Sequence, residues 1–62
     1  MIVSYNGKNF EFGDVKTVKE VLERLKIIPT TVLILKNGKI VEENERITHL
    51  DNIEIVKVVS GG

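Results

Sequence analysis

The 62-residue chain reads as an α+β domain of two layers, one helix lying across one face of one mixed sheet. Three observations carry that reading. Asn-Gly pairs at 6–7 and 37–38 each sit between β-prone runs. A single stretch with a helical apolar stripe lies between them. The last long apolar run, Ile53 to Val59, is the richest in β-branched residues.

Residues 1–5 and 8–12 flank Asn6-Gly7. A type I′ turn needs positive φ at both central residues, so Asn-Gly here is a strong hairpin signal. A two-residue loop sets Tyr5 opposite Lys8, Val3 opposite Phe10 and Met1 opposite Phe12. Met1, Val3, Phe10 and Phe12 then share one face, with Ser4, Asn9 and Glu11 on the other. Residues 13–16 are a connector. Thr17-Val18-Lys19-Glu20 has the form of a capping box. Val18, Val21, Leu22 and Leu25 follow at i, i+3, i+4 and i+7, one apolar stripe of a helix of two to three turns. Pro29 disfavours a helical residue before it, so the helix should end between Lys26 and Ile28.

The second hairpin pairs 32–36 with 39–43 around Asn37-Gly38. Leu33, Leu35 and Ile40 share one face; Val32, Ile34 and Val41 share the other. Both faces are apolar. The polar stretch 43–48 should be irregular, with Ile47 and Leu50 as anchors, and Asp51-Asn52 should turn the chain. A β-branched run such as Ile53–Val59 suits a central strand. With that strand beside the first, the right-handed crossover places the helix over the sheet. This is the β-grasp arrangement, as in ubiquitin, and residues 1–62 are expected to form one such domain with a flexible C-terminal Gly-Gly tail.

A chain this short buries only about 60% of its unfolded surface, so its local structure must be efficient. It has no cysteine, hence no disulfide and no thiol of its own on which to carry an acyl group or sulfur. Nine acidic and nine basic residues balance and are scattered, which argues against nucleic-acid binding. The longest aliphatic run, Val32 to Leu35, is too short to span a bilayer. With no signal-peptide pattern either, the expectation is a cytoplasmic protein. His49 sits in a turn-like stretch with no Ser-His-acid set around it. Glu42, Glu43 and Glu45 form a solvated rim.

The sequence closes Val58-Val59-Ser60-Gly61-Gly62. Two successive glycines at that place arise by chance only about once in 200 at ordinary glycine frequency. An extended Gly-Gly segment threads a narrow cleft where a Cβ would clash. A terminal glycine also offers the least hindered acyl carbon a protein has. The alternative is a frayed end of small residues.

The β-grasp order, the length and the terminal Gly-Gly together resemble the ThiS/MoaD family of ubiquitin-like sulfur carriers. Lys36-Asn37-Gly38-Lys39-Ile40-Val41 looks like the family's Asn-Gly-x-Ile-Val hairpin. Ile53-Glu54-Ile55-Val56, leading to the Gly-Gly end, looks like its last strand. The length is that of the thiamine-type carrier rather than the longer MoaD. Two positions depart from the pattern: the Asp-Gly-Asp turn stands as Leu50-Asp51-Asn52-Ile53, and Lys36 replaces a small apolar residue.

The resemblance implies a carrier protein, not an enzyme. Gly62 would be the group transformed, first adenylated and then converted to a thiocarboxylate, with Gly61 letting the tail thread the partner's channel. ATP and magnesium would be used by that partner, an adenylyltransferase of the ubiquitin-activating type, and this chain would bind no cofactor or metal. A persulfide would donate the sulfur, and a thiazole synthase of thiamine biosynthesis would receive it. A molybdopterin synthase large subunit or a tRNA-thiolation enzyme are alternative recipients. Conjugation of Gly62 to lysines of other proteins, as in ubiquitin, is a further reading. Family relatives also dock their enzymes on the sheet face that the helix leaves open. That face carries either Leu33, Leu35 and Ile40 or Val32, Ile34 and Val41, with Ile2, Val56 and Val58 beside it. The set taken as partner-binding is Leu33, Leu35, Ile40, Val56, Val58 and Ser60. The competing structural reading is a second small core closed by residues 43–50.

Overall fold

The structure, a computed structural model, describes residues 1–58. In chain order it has β1 (Ile2–Tyr5), β2 (Lys8–Glu11), α1 (Val18–Leu25), a 3₁₀ turn (Pro29–Thr31), β3 (Val32–Lys36), β4 (Lys39–Val41) and β5 (Asn52–Lys57). The strands form one mixed sheet in the order β2-β1-β5-β3-β4, with β5 parallel to β1 and the other neighbours antiparallel. This is the ubiquitin-like β-grasp. The β-branched last strand lies in the centre, as its composition requires.

Both hairpins take the register that a two-residue loop dictates. Tyr5 faces Lys8, Val3 faces Phe10, and Lys36 faces Lys39. Asn6, Gly7, Asn37 and Gly38 have φ of 53, 76, 52 and 86°. Phe12 donates its N–H to the Met1 carbonyl at 3.0 Å, continuing the first hairpin past its strand ends. Phe10 shares the side of Val3 yet is only half-buried, because β2 is an edge strand.

The helix packs its stripe against the sheet. Val18, Val21 and Leu22 are buried against Val3, Val32, Ile34, Ile53 and Ile55, and Val15 and Ile47 close the ends. Each of the larger side chains contributes on the order of 2 kcal/mol by leaving water. Thr17 is the N-cap, its Oγ1 accepting from the Glu20 N–H at 3.4 Å. Glu20 reaches one residue further back than a capping box requires, accepting from the Lys16 N–H at 3.1 Å. The next two helical N–H groups, of Val18 and Lys19, donate to the carbonyls of Glu45 and Glu43 at 3.0 and 2.7 Å. The polar segment after β4 thus satisfies donors that a helix start leaves without intrahelical partners. That duty shortens β4, which ends at Val41 rather than Glu43.

Two further expectations are corrected. The helix ends at Leu25, earlier than Pro29 alone demands, because Lys26 adopts the left-handed conformation at φ 58°. Its N–H bonds the Glu23 carbonyl and that of Ile27 bonds Leu22, a Schellman ending with lysine in the place glycine usually takes. Leu50 is not an anchor; it is 79% exposed. The 48–51 turn is held by Asp51, which accepts from the Thr48 N–H at 2.8 Å, and Leu50 stays outside it. Among the described residues no helix is long and apolar enough to cross a membrane.

Candidate docking face and reactive end

Alternation along the strands decides which apolar set lies open. Val32 and Ile34 of β3 are buried under the helix, and Val41 packs partly against the same core. Leu33, Ile40, Val56 and Val58 are therefore on the far side, 45, 67, 40 and 44% exposed, and Leu35 is half-buried there. Of the two sets open in the sequence, the face carries Leu33, Leu35 and Ile40. The ladder brings them together: Leu33 faces Val56 across β3–β5, and Leu35 faces Ile40 across β3–β4. Ile2 adds a half-exposed aliphatic side chain on the β1 side.

Residues 43–50 do not close this face. Their carbonyls serve the helix N-terminus, and Ile47 enters the core on the helix side. Lys36 fixes the same segment. Its ammonium donates to Glu45 Oε2 at 2.8 Å and to the Arg46 carbonyl at 3.1 Å. The hydrogen bond to Glu45 raises the lysine above its ordinary pKa. A lysine in place of a small apolar residue is thereby accounted for: it clips the post-β4 segment to the sheet.

The other departure also has a physical account. Asn37 of the second turn accepts from the Asn52 N–H at 2.9 Å through Oδ1 and donates to Asp51 Oδ1 at 2.9 Å through Nδ2. The Asn37 N–H donates to the Asn52 carbonyl at 2.9 Å. The start of β5 is locked to the β3–β4 turn, and no residue from Leu50 to Ile53 has a positive φ that would call for glycine. The Thr48 N–H, followed by the Asn37 amide, holds the Asp51 carboxyl below its ordinary pKa.

The other end of β5 is anchored as well. The Val58 N–H donates to the Thr31 carbonyl at 2.9 Å, one rung beyond the strand. Ser60, Gly61 and Gly62 lie outside the described residues, as does Val59. His49 is exposed in its turn, and among the described residues no His, Cys, Asp and Glu cluster could hold a metal ion. Sequence reasoning missed Glu54, the charged residue in the middle of the open face. The alternation Ile53-Glu54-Ile55-Val56 was the available signal, since Glu54 must share the side of Val56.

A family model described as the ThiS family matches residues 3–62. The chain belongs to the ThiS family. The match covers the sheet from Val3 onward, the helix and the Gly61-Gly62 end. ThiS-family members are small sulfur-carrier proteins rather than enzymes, and they work with activating and biosynthetic enzymes. No individual curated protein matches the chain.

Proposed function

We propose that the Gly62 carboxylate is the site of chemistry, adenylated by a partner and then converted to a thiocarboxylate that supplies sulfur for the thiazole of thiamine. The observation that carries this reading is the ThiS-family match running through the final Gly61-Gly62. The fold supports it, because the strand leading to those glycines is hydrogen-bonded on both sides, by β1 and by β3. The body is a fixed handle and the glycines are its working end.

A terminal carboxyl with a pKa near 3.5 is ionised at neutral pH and is a poor electrophile. Attack of its oxygen on the α-phosphate of ATP, held by the partner, releases pyrophosphate and gives an acyl-adenylate. A persulfide sulfur then attacks the acyl carbon and expels AMP, and a thiol cleaves the resulting S–S bond to leave the thiocarboxylate. Gly61 and Gly62 suit this because a channel that excludes water can close on a backbone without side chains. The strip of Leu33, Leu35, Ile40, Val56 and Val58, together with Ser60 of the tail, holds the partner while the tail is processed. An exposed apolar cluster of this kind marks a protein contact.

Intact mass after incubation with an activating enzyme, ATP and a persulfide donor tests the reading. The expected product has one oxygen of Gly62 exchanged for sulfur. A chain lacking Gly62 that still supports its pathway defeats the proposal. Branched Gly-Gly remnants on lysines of other proteins would instead reveal a protein modifier. Presenting the thiocarboxylate in parallel to a thiazole synthase and to a molybdopterin synthase large subunit identifies the recipient.

A further inference from the structure

The charged side chains on the strands are sorted by face. Lys8 stands opposite Tyr5, Lys36 opposite Ile53, Lys39 opposite Lys36, and Lys57 opposite Val32. Directly paired residues point to the same side of a sheet. All four strand lysines therefore lie on the helix side, with the core. Glu11 stands opposite Ile2, and Glu54 lies between Ser4 on β1 and Leu35 on β3. Both strand glutamates lie on the open side. On a chain of zero formal net charge, the exposed apolar face is locally anionic.

Glu54 is also placed in a receptacle. Together with Ile2, Ser4, Leu35 and Asn52 it lines a depression of about 400 Å³ on that face. Ile2 and Leu35 give aliphatic walls, while Ser4 and Asn52 add a hydroxyl and an amide. Among the described residues the ion pairs are Arg24–Asp14 and Lys36–Glu45, so Glu54 has no cationic partner within the fold. A partner that covers the Leu33–Val56 strip dehydrates this carboxylate, and a dehydrated carboxylate without a counter-charge is costly. Its partner must bring a cation. The aliphatic walls select one that carries a long apolar stem and is weakly hydrated. A guanidinium also meets a carboxylate through two parallel hydrogen bonds.

The geometry points to an arginine side chain of the docking enzyme entering the Ile2–Leu35 depression and pairing with Glu54. This rests on the open face being the partner surface, and it does not depend on the chemistry at Gly62. The arginine fixes the register of docking, whereas the apolar strip supplies contact area.

The test uses the full-length, isotope-labelled chain titrated with acetyl-Leu-Arg-Leu-amide and with its neutral citrulline counterpart. Amide shifts should cluster at Ile2, Ser4, Leu35, Asn52 and Glu54, with the citrulline peptide binding about threefold more weakly. Added salt should narrow that gap. Glu54→Gln should abolish it, leaving the remaining amide spectrum unchanged because the side chain is exposed. Equal binding of the two peptides overturns the inference, as does a cluster of shifts at residues 42–45. With an activating enzyme, Glu54→Arg should raise the half-saturating carrier concentration roughly tenfold at unchanged maximal rate. A chain that forms the thiocarboxylate while ignoring the charge at position 54 refutes this inference alone. One that prefers the arginine peptide but never gains sulfur refutes the proposed function alone.

Discussion

On β3, Val32 and Ile34 lie under the helix while their neighbours Leu33 and Leu35 face outward, so one strand of uniform apolar character serves two ends. The inner face is closed by Val18, Val21 and Leu22, whose burial holds the domain together. The outer face keeps Leu33, Ile40, Val56 and Val58 exposed, with Glu54 and Glu11 among them. Apolarity alone does not tell the two faces apart. The distribution of charge does, because the strand lysines accompany the core side and the strand glutamates the open side.

If the inner face carries stability and the outer face carries recognition, substitutions on the two should separate these properties. The largest effect is expected at Leu22, which is 1% exposed. Leu22→Ala should lower unfolding free energy by about 3 kcal/mol in urea titration, a large share of what so small a domain has. Thr17→Ala, which removes the cap on the helix that closes the inner face, should cost about 1 kcal/mol in the same measurement. Ile40→Ala should change stability by only about 0.5 kcal/mol, yet weaken binding to an activating enzyme measured by calorimetry. A large stability loss there would mean that the outer face is a second core, and the comparison would fail.

The smallest effect is electrostatic. Asp51 ties the start of β5 to the second turn, and its folded pKa lies below the ordinary 3.8. A depressed carboxylate contributes stability above its unfolded pKa, and that contribution is lost as pH falls through the folded value. Stability should therefore decline below about pH 4, and Asp51→Asn should show a shallower decline over that range. Asp14, lowered by its pairing with Arg24, acts in the same direction. An unchanged acid profile in Asp51→Asn would remove this residue from the lock between turn and strand.

Much of the fold was legible because it is governed by short-range chemistry. Asn6-Gly7 and Asn37-Gly38 specify turns whose two-residue loops leave one register each, and the structure has those registers. Thr17 and the Val18–Leu25 stripe identify the helix and its buried side. The misreadings fall where no residue type announced the local conformation. Leu50 is outside because Asp51 binds Thr48 and Asn37, and Lys26 ends the helix by a left-handed turn that no glycine announced. The candidate site was half legible. The apolar members and the Gly61-Gly62 end could be read from the chain, but the depression around Glu54 draws its walls from β1, β3 and β5.

By itself the sequence determined the hairpins, the helix, the central place of the last strand and the two glycines that close the chain. These depend on local φ preferences, side-chain periodicity and composition, which need no distant partner. Which side of the second hairpin faces the helix was settled only by tertiary structure. Both sides are apolar, so hydrophobicity leaves them equivalent. The crossover that lays α1 on one side of the sheet breaks that equivalence, burying Val32 and Ile34 and leaving Leu33, Leu35 and Glu54 to the outside.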